Sequence, residues 1–185
     1  RQFWADRSRT AAIAAHTNAF KINEDVVIPL HNLAEYTEGI ERINVQQSMR
    51  NKLKILTAIL DYLAGDQPEL RSVTGYEDSA ERQAMLDSKK QAAMSYAQGV
   101  KQRWESILAN FEGDRLIDVL LRLDLRISHR KEVELPLKEI FAGRELEPLR
   151  HSLDKIHHRY RSGRLFVALH MHAGDGNVHT NIPVK

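Results

Sequence analysis

The sequence predicts an α+β protein in which a small antiparallel sheet, formed by the two ends of the chain, carries a large and mainly helical insertion. Three observations predict it. The clearest strand segments, bounded by Pro or Gly, lie near 20–28 and 164–184. Between them apolar residues recur at helical spacing. A Gly- and Asp-rich turn, HAGDGNVH from His172 to His179, sits within the second of the β segments. With 185 residues the chain can bury a sizeable core in one domain carrying such an insertion.

Each element follows in order. The alanine-rich run from Phe3 to His16, with Trp4 and Ile13, favours a helix ending near Asn18. FKINEDVVIP places Phe20, Ile22, Val26 and Ile28 at even positions, which favours a strand; Pro29 stops its ladder and suits the first position of a helix. Leu30, Leu33, Ile40, Ile43, Met49, Leu53, Leu56, Leu60 and Leu63 then keep helical spacing up to Gly65, a natural stop, so one long helix or two consecutive ones fill the span. GDQPELRSVTG is a loop, a second helical stretch covers about 78–111 and ends at EGD, and a third starts at Arg115. LRLDLRIS, 121–128, alternates strictly and fits a strand, but its length and helical neighbours favour a helix. A short helix is expected after Pro136 and another from Leu146 to Arg161, with Gly163 opening the final β segment. The division is therefore 1–48 and 163–185 for the sheet-bearing domain and 49–162 for the insertion.

Composition narrows the function classes. Net charge is only +2 and the basic residues are interleaved with acidic ones, so no nucleic-acid partner is expected. The absence of cysteine removes disulfides, thiolate zinc and iron–sulfur ligation from this chain and suits a reducing, cytoplasmic setting. Any metal here must be held by nitrogen and oxygen. The longest apolar stretches, such as ILTAILDYLAG, are too short for a membrane span, and no signal peptide is visible. The chain opens with RQFWADRSR, without an initiator Met, and closes in a strand-like TNIPVK, which reads as a piece of a longer protein.

The turn is the candidate site. Asp-Gly tolerates positive φ, so GDGN between LFVALHMH and VHTNIPV predicts a hairpin. A symmetric turn makes His172 and His179 cross-strand partners, and period two puts His170 beside His172 and Asn181 beside His179 on one face. Two imidazoles so placed can hold Zn, Mn or Fe, although a catalytic site wants a third protein ligand and none is obvious in the chain. The plainer alternative is that the histidines only hydrogen-bond around a Gly-rich turn. A dinucleotide fingerprint is excluded because Gly174 and Gly176 lack a third glycine and a following helix, and a calcium loop because the spaced carboxylates are missing. His157 and His158 are adjacent in a basic helix and do not face each other, which argues against a shared metal.

HMHAGDGNVHTNI resembles the HxGDGNxH signature in the C-terminal substrate or cap domain of FAD-linked oxidases of the vanillyl-alcohol oxidase type, which include glycolate oxidase and the D-lactate and D-2-hydroxyglutarate dehydrogenases. FKINEDVVIPLHNLAEYTEGIERI is similar to the same domain's strand-then-helix segment, and FWADR to its preceding tryptophan and arginine. The resemblance covers 1–45 and 163–185, and is to this domain as found in the very large bacterial oxidoreductases that join such an oxidase to an iron–sulfur domain; the helical stretch between is absent from the common members, and the resemblance does not interpret it.

The resemblance implies a small ferredoxin-like antiparallel sheet and a substrate or cap domain for FAD-dependent oxidation of a D-2-hydroxy acid such as lactate, glycolate or 2-hydroxyglutarate. It makes His172 and His179 ligands of a divalent metal, with a third ligand, a glutamate, after Lys185, and His179 a catalytic group. Asn181 is implied near substrate and flavin, Asn177 near the flavin, and Arg7 and Lys21 on the substrate carboxylate. Ala11 stands where some members carry a threonine, so that role is not transferred. FAD would be bound mainly by a flavin-binding domain elsewhere in the polypeptide, and this stretch alone is expected to be inactive. The competing reading is a non-catalytic helical interaction module whose amphipathic stretches between Asp78 and Arg161 dock another domain or protein chain.

Overall fold

The computed structural model describes residues 20–70, 80–111, 118–120, 122, 125–163, 165–172 and 174–184, and of 20, 21, 23, 69, 183 and 184 the backbone only. The expected helix over 3–16, most of the GDQPELRSVTG loop beyond Leu70, and part of LRLDLRIS lie outside the described residues. The fold is α+β. Its elements are β1 (Phe20–Val27), α1 (Leu33–Ala64), α2 (Ala80–Ala109), α3 (Leu135–Ile140), α4 (Glu147–Ser162), β2 (Ala168–His172) and β3 (Asn177–Val184). They group into two compact units, one of the described residues up to Ser48 and from Gly163, the other of Met49–Ser162.

In the first unit the strands form a three-stranded antiparallel sheet in the order β1-β3-β2. Pro29 ends the β1 ladder and opens a tight turn, Leu30–Asn32, that leads into α1. Period two sorts β3 into a buried face, with Val178 fully covered and Thr180 nearly so, and a face carrying Asn177, His179 and Asn181. The first half of α1 lies against the buried face: the Tyr36 and Thr180 hydroxyls are 3.1 Å apart. Asn44 fixes the start of β2 by pairing with both backbone groups of Val167, its Nδ2 donating to the carbonyl at 2.9 Å and its Oδ1 accepting from the amide at 2.8 Å. A side-chain amide thus does for Val167 what a neighbouring strand would.

The second unit is helical around a core of its own. The second half of α1 contributes Ile55, Leu56, Ile59 and Leu63, and α2 contributes Ala93, Ala97, Val100 and Trp104 at alternating spacings of four and three. Small Ala93 and Ala97 let the backbone approach closely, while Trp104, Phe141 and Leu149 fill the volume around them. Helix ends are satisfied by side chains: Gln67 Nε2 donates to the carbonyls of Tyr62 and Gly65 after α1, and Lys89 and Arg150 cover the carbonyls of Ile140 and Phe141 after α3.

Two expectations are corrected here. The stretch 125–128 is irregular, neither the favoured helix nor a strand. Ser128 is spent on starting the next helical segment, its amide donating to Glu132 Oε2 at 2.7 Å while its Oγ accepts from Lys131 N. The helical chain also begins before Pro136, with a widened turn, Arg130–Glu134, leading directly into α3. Arg103 and the Tyr96 hydroxyl of α2 hold that turn through Glu132. Among the described residues no helix is long and apolar enough to cross a membrane.

Candidate functional site

The site grows out of the turn. The Asp175 amide donates to the His172 carbonyl at 3.1 Å, and Asp175 Oδ1 accepts from the Asn177 amide, also at 3.1 Å. Gly176 has φ +74, and a Cβ there would stand 2.1 Å from the Ile28 carbonyl oxygen, so both its backbone angle and its closeness to the chain after β1 require glycine. The Ile28 amide donates to the Gly176 carbonyl at 2.8 Å and ties that chain to the turn. Gly174 has open space around it.

This turn sets a register different from the symmetric one expected. His172 pairs with Asn177, and the partner of His179 is His170. Pairing His172 with His179 would put Val178 into the loop; the shorter turn keeps Val178 in the strand, buried and opposite Met171. A slip of two residues leaves the faces unchanged, so His170, His172 and His179 still share one. Their ring centroids are 5.5 Å apart for His170–His172, 5.9 Å for His170–His179 and 5.5 Å for His172–His179. His170 and His172 are exposed and His179 half-buried, so the face is open.

On β1, Asp25 lies opposite His179, and His179 Nδ1 is 2.6 Å from Asp25 Oδ1. Asn181 stands two residues further along the same face, opposite Ala168 and Asn23, and half-buried Asn177 lies between His172 and Val27. Lys21 is placed by its backbone alone, paired with Pro183. Arg7 lies outside the described residues. The structure therefore brings together His172 and His179, aligns Asn177 and Asn181 with them, keeps His170 on the expected face but as the direct cross-strand partner of His179, and adds one group that sequence reasoning gave no role, Asp25. Asp25 belongs to a visible acidic pair, but the register of β1 against a strand more than a hundred residues away leaves no local trace.

Two imidazoles bound to one tetrahedral ion have centroids about 5 Å apart, given metal–nitrogen bonds of about 2.0–2.1 Å. The His172–His179 spacing fits this, and the donor set is of the nitrogen and oxygen type that borderline divalent ions take. Among the described residues no group of three or more His, Asp or Glu is placed to hold a metal. An ion held here would take the rest of its shell from elsewhere.

The helical unit has a histidine cluster of another kind. His129 and His157 stack with centroids 4.0 Å apart and planes 8° from parallel. Both ring nitrogens of His129 are buried without a hydrogen-bond partner. Burial, with His157 next in weight, pushes its pKa from 6.5 down to about 4, and burial also lowers that of His157. Parallel rings aim their lone pairs side by side, so this pair is a packing feature and not a chelate. Comparison with protein-family models, curated proteins and solved structures finds no match for this chain.

Proposed function

We propose that the sheet-bearing unit is the substrate-facing cap of an FAD-dependent oxidoreductase acting on a D-2-hydroxy acid of the lactate, glycolate or 2-hydroxyglutarate type. The observation that carries it is the meeting of the His172 and His179 rings on an open sheet face, 5.5 Å apart, around a turn whose sequence resembles the signature of that family. A stability role explains such a face poorly, because exposed imidazoles add little to a core.

His172 and His179 are the two ligands this chain offers a divalent ion, Zn, Mn or Fe, and His179 is the catalytic group, because the ion it would hold orients the substrate hydroxyl. Asn177 and Asn181, aligned with them, offer amide hydrogen bonds to substrate and flavin, and Arg7 and Lys21 supply cationic charge for the substrate carboxylate. The ion when bound supplies Lewis acidity and the flavin supplies the redox chemistry. FAD is held mainly by a flavin-binding domain of the same polypeptide, with an iron–sulfur domain as the onward partner, in the cytoplasm, a setting that the absence of cysteine suits.

The test is anaerobic mixing of the full-length protein with D-lactate, glycolate or D-2-hydroxyglutarate, following flavin bleaching. His172→Ala and His179→Ala should each retain flavin and slow bleaching by about 100-fold or more, the scale of losing an oriented acid–base or metal ligand. If both variants bleach at the parent rate, the reading is wrong.

A further inference from the structure

We infer that Asp25 is a positioning residue: it fixes the His179 ring so that Nε2, and not Nδ1, is the nitrogen presented on the open face. The use made of that nitrogen rests on the function proposed above; the fixing does not.

A carboxylate has no hydrogen to give, so at 2.6 Å it is the His179 Nδ1–H that donates and Asp25 Oδ1 that accepts. With Nδ1 carrying the hydrogen and facing β1, Nε2 is left for an ion or a substrate group, the arrangement by which a carboxylate behind a ligating imidazole sets its tautomer and orientation. Among the described residues His179 is the one ring of the three with a carboxylate partner. Glu24 points to the opposite face by strand alternation, and Asp175 is engaged with the Asn177 amide.

The strand register delivers Asp25 to this place. Antiparallel pairing of β1 with β3 sets it directly across from His179, and the bond from the Ile28 amide to the Gly176 carbonyl pins β1 to the same turn that separates the histidines. Gly176 therefore serves both ligands: it closes the turn, and it lets the backbone after β1 come close enough to hold the aspartate in register. Stability alone does not explain the pair. His179 is 33% exposed and Asp25 68%, and an ion pair or hydrogen bond so open to water contributes about 0–1 kcal/mol.

The experiment uses the full chain with ¹⁵N-labelled histidine at pH 8, where long-range proton–nitrogen spectra report which ring nitrogen carries the hydrogen, together with Zn²⁺ titration against a chromophoric chelator. Asp25→Ala and Asp25→Val, the second keeping a strand-favouring side chain, should move His179 to the Nε2–H form and weaken Zn²⁺ binding by about 10–100-fold, the range for loss of a carboxylate behind a ligand. Asp25→Asn, whose amide oxygen still accepts from Nδ1–H, should restore most of the Nδ1–H form. A parent chain that shows the tautomer change on substitution but binds no Zn²⁺ would sink the metal reading and leave Asp25 in its role. If His179 keeps one tautomer in the parent chain and in both aliphatic variants, Asp25 does not position it, whatever the metal does.

Discussion

At the scale of single residues, the groups that stand out are those whose surroundings fail to satisfy them. His129 is the clearest, with two buried ring nitrogens lacking partners and a stacked histidine as neighbour. Its pKa of about 4, against 6.5 for an ordinary imidazole, means that the folded chain holds it neutral while the unfolded chain takes up a proton. Between those two values the unfolded state binds more protons, so the stabilisation is complete above about pH 6.5 and is lost as pH falls toward 4. Urea denaturation of the helical unit, followed through buried Trp104, should show stability falling across that window by on the order of 1–3 kcal/mol. His129→Phe keeps a flat ring against His157 and should flatten the profile. An unchanged pH dependence in that variant would assign the effect to other groups.

At the scale of elements, the hairpin turn shows how much of the site the sequence made legible. Asp-Gly within HAGDGNVH predicts a turn and two histidines on one face, and both are present; the pairing of His179 with His170 is not predicted, because it depends on Val178 staying in the strand. The long helix ending at Gly65 and the strand ending before Pro29 are equally legible, since periodicity and backbone stops are local signals. The irregular 125–128 stretch and the early start of the helix around Pro136 are not: strict alternation and a proline point one way, while the Ser128 cap and the hold of α2 on Glu132 decide the outcome. Asp25 belongs with these, visible as a residue and unreadable as a partner. The two glycines of the turn separate local from tertiary demand. Gly176→Ala meets a positive φ and the Ile28 carbonyl together, so the first unit should lose about 2 kcal/mol or more, with β1 freed from its register. Gly174→Ala has room and should stay within about 0.5 kcal/mol of the parent. Equal effects at the two positions in chemical denaturation would show that the close approach at Ile28 does not govern the hairpin.

At the scale of the molecule, the two units differ in how they are held. The helical unit closes around fourteen buried apolar residues drawn from α1, α2, α3 and α4 and the segments beside them. In the sheet-bearing unit Val178 is the buried apolar side chain among the described residues, and the other sheet face carries exposed His170 and His172. Burial of apolar area is the main stabilising term, so the sheet should open more cheaply than the helical core even though α1 runs unbroken through Ser48 and Met49 from one unit into the other. Native-state hydrogen exchange on this chain should therefore find the amides of β1, β2 and β3 exchanging through openings cheaper by about 2 kcal/mol or more than those of Leu56–Leu63 and Ala97–Trp104, with low denaturant widening the first class and leaving the second on the global curve. The histidine face then belongs to the less stable part of the chain. If strand and core-helix amides instead share one opening free energy and respond alike to denaturant, the sheet and the helical core unfold as a single cooperative fold.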